Sequence, residues 1–192
     1  MNFIFQGLEN NIPSIIINEA KSLYSIISKT KISRGSNRKG IIAACVYFAC
    51  KECNVPRSSN EVAEIFSIEP TTMTKGVKKC QEIIFMKKKN KKRLTKPNSI
   101  QAHDFIERFC NRLKLDEHSM YQIILICRRC MDENLISENT PPSVAAGCIY
   151  YYIKKMNIEN ITKKDISTIC KISEVTINKC TKKIESKPEL FE

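Results

Sequence analysis

The chain has 192 residues, 42% of them hydrophobic, and a formal net charge of +12 at pH 7. That apolar content supports one large folded domain or two small ones and excludes a disordered chain. The excess of 32 Lys and Arg residues over 20 Asp and Glu residues favours a polyanionic partner, nucleic acid first and an anionic membrane second.

The sequence predicts neither secretion nor membrane insertion. Residues 1–11 lack the basic start and apolar run of a secretory signal peptide. The longest apolar runs, at 41–50 and 144–153, are far shorter than the roughly 20 residues that span a bilayer. Ten cysteines without such a signal are typical of a reducing compartment, so we expect an intracellular protein.

The first predicted element is an amphipathic helix. Its apolar residues have the i, i+4, i+7, i+8, i+11 spacing of one helix face. Pro13 can start this helix, and the Arg-Gly-Ser-Asn cluster at 34–37 is expected to end it. The apolar face consists of Ile16, Ala20, Leu23, Tyr24 and Ile27.

Three further helices are predicted in the first part of the chain. A central helix over about residues 38–53 is apolar on every side, as expected for a short helix enclosed by others. Ser58, with Glu61 three residues later, forms the capping box of a short helix. The Glu-Pro-Thr-Thr sequence at 69–72 opens the last helix.

A basic segment follows at residues 87–97. It has seven basic residues among eleven, and this charge density resists burial. The segment can track phosphates, act as a nuclear import signal or serve as a disordered spacer, and composition does not separate these roles.

The second part of the chain also predicts helices. A central helix begins at the Thr-Pro-Pro sequence at 140–142. Two helices precede it, at about 100–113 and 116–134, and two follow it, at 162–170 and 173–185. No stretch alternates with period two, so the predicted fold is all-α.

The two central helices are copies of one sequence. Residues 45–47 align with 148–150 at an offset of 103, and the downstream segments align at an offset of 104. A copy of this length is a small domain rather than a solenoid unit. The downstream apolar pairs are Ile65 with Ile169, Ile68 with Ile172 and Met73 with Ile177. We predict a first repeat at 1–86, a linker at 87–97, a second repeat with a helix-turn-helix at 98–187 and a C-terminal tail at 188–192.

Several segments, in order along nearly the whole chain, carry a specific resemblance to a known family. In the first copy they are Gly35 and residues 40–50 and 55–57; in the second they are residues 105–113, 142–146, 173–177 and 188–191. These segments resemble the core of the transcription factor IIB (TFIIB) family, which implies two tandem five-helix cyclin-like repeats. Residues 38–42 and 73–76 resemble the divergent factors of large DNA viruses.

The resemblance implies a protein without catalytic activity or cofactors. Such a core docks beside a TATA-binding protein and straddles bent promoter DNA, with one repeat on either side. We expect a monomer located in the nucleus, or in a cytoplasmic viral factory if the chain is viral.

The resemblance also implies an N-terminal zinc ribbon that contacts RNA polymerase. The first cysteine here is Cys45, within the first repeat, so we expect that this chain lacks the ribbon and meets polymerase only indirectly. Two explanations stay open: the chain is a fragment, or polymerase recruitment works differently.

Residues 162–185 predict a helix, a short turn and a second helix. The first residues of such a second helix face base edges when it enters the major groove. The resemblance implies that this helix reads a short element upstream of the TATA box, and Val175 and Thr176 match the family's motif. Asn178 replaces the motif's Arg, so we expect a lost or changed sequence preference. The two helices must also close the bundle, and that alone can explain them.

Basic residues recur at equivalent positions in the last helix of each repeat. Matched basic faces favour phosphate contacts, whose affinity falls steeply with salt, although any single lysine is as well explained by a solvated face. We expect Lys51 and Arg57, at the end of the first central helix, to meet an acidic edge of the TATA-binding protein. The expected DNA-binding residues are Lys75, Lys78, Lys79, Lys163, Lys164, Val175, Thr176, Asn178, Lys179, Lys182 and Lys183.

Two Cys-x-x-Cys pairs, at 50–53 and 127–130, have the ligand spacing of a four-cysteine zinc site. Their counterparts in the other copy are Ile153, Met156, Tyr24 and Ile27, which all have apolar bodies. We therefore expect the cysteines to be small core hydrophobes and no metal to be bound.

No enzymatic activity is expected. His103 and His118 have no Ser, Cys or carboxylate motif around them, and the five glycines form no phosphate-binding loop. The rival hypothesis is a cyclin-like regulatory subunit that binds a kinase. The charge of +12 favours the DNA-binding hypothesis, because a kinase activator does not need it.

Overall fold

The computed structural model of the protein describes residues 12–30, 34–89 and 100–191, without the side chains of residues 85–89. All regular secondary structure in these residues is helical, which confirms the predicted all-α fold. None of these helices is both long and apolar enough to cross a membrane. The chain forms two compact units, Met1–Ser99 and Ile100–Glu192. The α-helices are α1 (Ser14–Ser28), α2 (Gly35–Glu52), α3 (Ser59–Ile65), α4 (Pro70–Lys89), α5 (His103–Arg112), α6 (Glu117–Asp132), α7 (Pro141–Lys155), α8 (Lys163–Cys170) and α9 (Glu174–Glu185).

In the first unit, α2 is the central helix. Helices α1, α3 and α4 pack against it, and all of residues 40–46 are buried. A continuous buried run in a helix means that other helices cover every side. The predicted enclosed central helix is therefore confirmed.

The second unit has the same plan, and its described residues form five α-helices and a short 3-10 helix at Pro188–Leu190. Helix α7 is central, and α5, α6, α8 and α9 pack against it. Phe105 and Phe109 of α5 are buried in this core, with ring centroids 5.9 Å apart. By the offset of 103, residues 104–112 of α5 correspond to residues 1–9, which lie outside the described residues.

The predicted end of the first helix is wrong. Helix α1 ends at Ser28, and the 34–37 cluster that was expected to end it lies at the start of α2. Gly35 is the first residue of α2 and has a φ of 56°, a left-handed conformation that glycine adopts without steric cost. The glycine therefore marks the entry to the central helix.

Structural elements cross two of the predicted boundaries, the one between the first repeat and the linker and the one between the second repeat and the tail. Helix α4 continues to Lys89 and so includes the first residues of the predicted linker, whose remainder at 90–97 lies outside the described residues. The C-terminal tail packs on the second unit, because Phe191 is buried with its ring 5.3 Å from that of Tyr151. Arg129 Nη1 donates to Leu190 O at 2.7 Å and holds this tail against α6.

The last helix of each unit crosses the central helix at very close range. An ideal Cβ built on Gly76 of α4 would lie 2.1 Å from the carbonyl oxygen of Gly40 in α2. In the second unit, a Cβ on Gly147 of α7 would lie 2.5 Å from Cys180 Cβ of α9. Gly76 and Cys180 are 104 residues apart and so occupy equivalent positions of the last helices. On the central helix the contact lies one turn later in the second unit, because Gly147 aligns with Ala44 rather than with Gly40.

The cysteines of the two Cys-x-x-Cys pairs belong to the hydrophobic cores. Cys50 is buried in the first unit, where half-buried Cys53 packs against the same core. Cys127 and Cys130 are buried in the second unit, and their hydrogen bonds to the thiol of Cys148 raise its pKa. These positions agree with the expected role as small core hydrophobes. In the described ranges, no group of His, Cys, Asp and Glu side chains is arranged to hold a metal ion.

Candidate nucleic-acid interface

Helices α8 and α9 form the predicted helix, turn and helix. Thr162 caps α8: its Oγ1 accepts from Asp165 N at 3.2 Å, and Asp165 Oδ2 accepts from Thr162 N at 2.8 Å. Lys171 ends α8 in a left-handed conformation, with a φ of 56°. Ser173 then caps α9 by accepting from Thr176 N at 3.2 Å. Local hydrogen bonds therefore set both the turn and the starting point of α9.

The cap of α8 is intact at neutral pH. Hydrogen bonds from Thr162 hold the pKa of the Asp165 carboxyl below its usual value. A carboxyl whose pKa is lowered in the folded state stabilises that state above its unfolded pKa. This contribution is lost only when the pH falls through the lowered pKa.

Helix α9 has a buried face and an outer face. The buried face packs on α7, where Thr181 Oγ1 donates to Gly147 O at 3.2 Å. On the outer face Val175 is 78% exposed, Lys179 and Lys182 are exposed and Asn178 is half-buried. The buried residues are Ile177, Cys180, Thr181 and Ile184. Helix α9 therefore closes the bundle and still leaves a face for a ligand, so the two interpretations of this helix are compatible.

Helix α4 has the same division in the first unit. Its outer face carries exposed Lys75 and Lys78, with half-buried Lys79 beside them. The buried positions are Met73, Gly76, Cys80 and Ile83. At the offset of 104, Lys75, Lys78 and Lys79 correspond to Lys179, Lys182 and Lys183.

Two of the expected DNA-binding lysines form ion pairs within the second unit. Lys183 pairs with Glu138, which precedes α7, and Lys163 Nζ lies 3.6 Å from Glu174 Oε2. These carboxylates reduce the positive charge that the two lysines offer to a phosphate. Lys164, Lys179 and Lys182 form no ion pair with any described residue, so they are the stronger phosphate-binding candidates of this unit.

The predicted partner-binding residues lie at the end of α2 and just beyond it. Lys51 is in the last turn of α2, Arg57 follows buried Pro56, and both basic side chains are half-buried. Val55 between them is 45% exposed and was not among the predicted partner-binding residues. An exposed aliphatic side chain flanked by two cations is suited to a protein surface with an acidic rim.

The two histidines lie near the starts of separate helices, His103 in α5 and His118 in α6. Both are exposed, and His103 Nε2 lies 3.5 Å from the neighbouring Asp104 carboxylate. The pair lies at the start of α5, where Asp104 Oδ2 also accepts from Gln101 N at 2.8 Å. Asp104 therefore binds the backbone just before α5, whose N-cap residue Ala102 makes no side-chain cap hydrogen bond.

We expect that replacing Ser173 with alanine destabilises the second unit by about 1 kcal/mol, because α9 loses its cap. The shift in the urea midpoint of unfolding measures this change. Ser22→Ala, at an exposed position within α1, is the matched control and is expected to change stability by only a few tenths of a kcal/mol. Equal stability of the Ser173→Ala variant and the parent would contradict the role of the cap.

Each unit has an enclosed central helix and a last helix with a basic outer face. Two such helical units in tandem define the class of duplicated cyclin-like repeats. The family model of the transcription factor TFIIB repeat matches residues 7–83 and 95–187. The chain belongs to the TFIIB family of transcription initiation factors.

The curated relatives fall into viral and cellular groups. The chain is 37% identical over 200 residues to a putative transcription initiation factor IIB-like protein of Acanthamoeba polyphaga mimivirus, covering 96% of this chain and 43% of that protein. It is 29% identical over 182 residues to transcription initiation factor IIB of Xenopus laevis and of Homo sapiens, covering 94% of this chain and 54% of each. The chain thus spans about half the length of these relatives. The higher identity to the viral protein agrees with the expected resemblance to factors of large DNA viruses.

Proposed function

We propose that the chain is the core of a general transcription initiation factor that binds a TATA-binding protein and promoter DNA during preinitiation complex assembly. The observation that carries this proposal is the pair of matched basic faces on α4 and α9. Equivalent positions of a duplicated domain keep exposed lysines in both copies, although nothing in the packing of either unit requires them. Duplex DNA, which carries regularly spaced phosphates, is the ligand that such faces suit best.

The expected contacts divide between DNA and protein. The lysines of α4 and α9, with Lys164 of α8, contact phosphates, and the outer face of α9 contacts base edges. Lys51 and Arg57 contact an acidic edge of the TATA-binding protein, with Val55 between them. The chain acts as a monomer in the nucleus or in a viral factory.

A mobility shift on TATA-containing duplex, with and without a TATA-binding protein from the same transcription system, tests this proposal. We expect a slower complex that needs both proteins and weakens as the salt concentration rises. Arg57→Ala should weaken the ternary complex more than it weakens the binding of the chain alone to duplex DNA. Capture of a kinase together with failure to bind duplex at any salt concentration would support the cyclin-like regulatory subunit instead.

A further inference from the structure

The outer face of α9 has few groups that can distinguish one base pair from another. The Glu174 carboxylate faces Lys163, and the Thr176 hydroxyl is hydrogen-bonded to Ser173 at 2.9 Å. The first turns of the helix are left with Val175, which is 78% exposed, and Asn178. Asn178 is half-buried, and its carboxamide makes no hydrogen bond to any described residue.

The outer face of α9 has exposed lysines but no arginine. Arginine, the side chain that most often reads guanine, does not occur between residues 162 and 187. Lys179 directly follows Asn178 and Lys182 lies one turn further on, and the two are equivalent to Lys75 and Lys78, the exposed lysines of α4. We expect these two lysines to meet phosphates.

Asparagine and valine are suited to adenine and thymine. An Asn carboxamide can accept from the adenine N6 amino group and donate to N7, and an aliphatic side chain contacts the thymine methyl group. Val175 and Asn178 are one turn apart on the same face, about 4.5 Å along the helix axis. This separation is close to the rise of about 3.4 Å between stacked base pairs, so the two side chains can reach neighbouring pairs.

We propose that α9 selects adjacent A·T base pairs in the major groove, with Asn178 hydrogen-bonded to adenine and Val175 packed on a neighbouring thymine methyl group. This inference rests on the proposed function and adds the bases that the helix prefers. The equivalent residues of α4 are Thr71 and Thr74, and the Thr74 hydroxyl already donates to Pro70 O at 2.9 Å. The preference therefore belongs to the second repeat, while α4 binds phosphates without regard to sequence.

The test begins with selection of TATA-containing duplexes with randomised flanks by the full chain, in the presence of a TATA-binding protein. The enriched duplex is then altered one atom group at a time: 7-deazaadenine removes adenine N7, and deoxyuridine removes the thymine methyl group. We expect enrichment of A·T pairs in one flank and a loss of affinity of about tenfold with 7-deazaadenine. Asn178→Ala should bind both duplexes equally, Val175→Ala should lose the distinction between thymine and uracil, and Asn178→Arg should favour guanine.

Thr74→Ala is the matched control, because it removes a polar group from the equivalent position of α4. We expect this variant to keep the A·T preference and the sensitivity to 7-deazaadenine. Ternary complexes without any base preference in the flanks, or with a preference that survives Asn178→Ala, would overturn the inference and leave the proposed function standing. Failure to form a ternary complex on any duplex would overturn both.

Discussion

Replacing Lys75, Lys78, Lys179 and Lys182 with alanine is expected to lower the affinity for promoter duplex by about 100-fold or more at near-physiological salt. All four side chains are exposed, and none forms an ion pair with a described residue. A lysine at a phosphate releases about one counterion, so its loss lowers the dependence of log K on log salt by about one. Titration of labelled duplex at several salt concentrations measures the affinity and this slope together.

The matched control removes the same charge from other surfaces. Lys29, Lys39, Arg112 and Lys187 are also exposed, and their replacement by alanine lowers the net charge equally. We expect the control variant to keep most of the affinity and nearly all of the salt slope. Equal losses in the two variants would mean that overall charge, rather than the faces of α4 and α9, attracts the DNA.

Replacing Gly76 with alanine is expected to destabilise the first unit by about 3 kcal/mol or more. The new Cβ would lie 2.1 Å from the carbonyl oxygen of Gly40, and a backbone atom within a packed helix cannot turn aside as a flexible side chain can. Helices α2 and α4 would have to separate, which would disturb the core and move the lysine face of α4. Urea unfolding followed by circular dichroism measures the loss.

Gln81→Ala provides the comparison for Gly76→Ala, since Gln81 lies on the same helix with its side chain exposed. It tests the effect of alanine in α4 without a clash, and we expect it to leave stability unchanged within about 0.5 kcal/mol. An unfolding midpoint for Gly76→Ala equal to that of Gln81→Ala would show that the helices do not cross as closely as described.

Local signals were enough to predict most of the helices. Pro141 at the start of α7 and the Ser58 and Glu61 capping box act through neighbouring residues, so their effects are visible in a single sequence. The internal repeat added the tertiary information that one helix lacks. Because Cys127 aligns with Tyr24, an apolar environment was predicted for it, and it is buried in the core.

Features that depend on residues distant in sequence were not predicted. The pairing of Lys183 with Glu138 is set by the packing of α9 beside the segment that precedes α7, and no local pattern indicates it. The contact of Gly76 with Gly40 likewise depends on the distance between two helices. Gly35 was misread because a left-handed glycine can end one helix or open the next, and only the backbone path decides.

The most direct test of the central claim is the affinity of the chain for TATA-containing duplex, measured by fluorescence anisotropy with and without the TATA-binding protein. If the chain locks that protein onto the promoter, the two bind cooperatively, and each tightens the binding of the other by the same factor. We expect the chain to bind at least about tenfold more tightly when the TATA-binding protein is present, which corresponds to a coupling free energy of about 1.4 kcal/mol. An identical affinity in the two titrations would contradict the assignment as an initiation factor core.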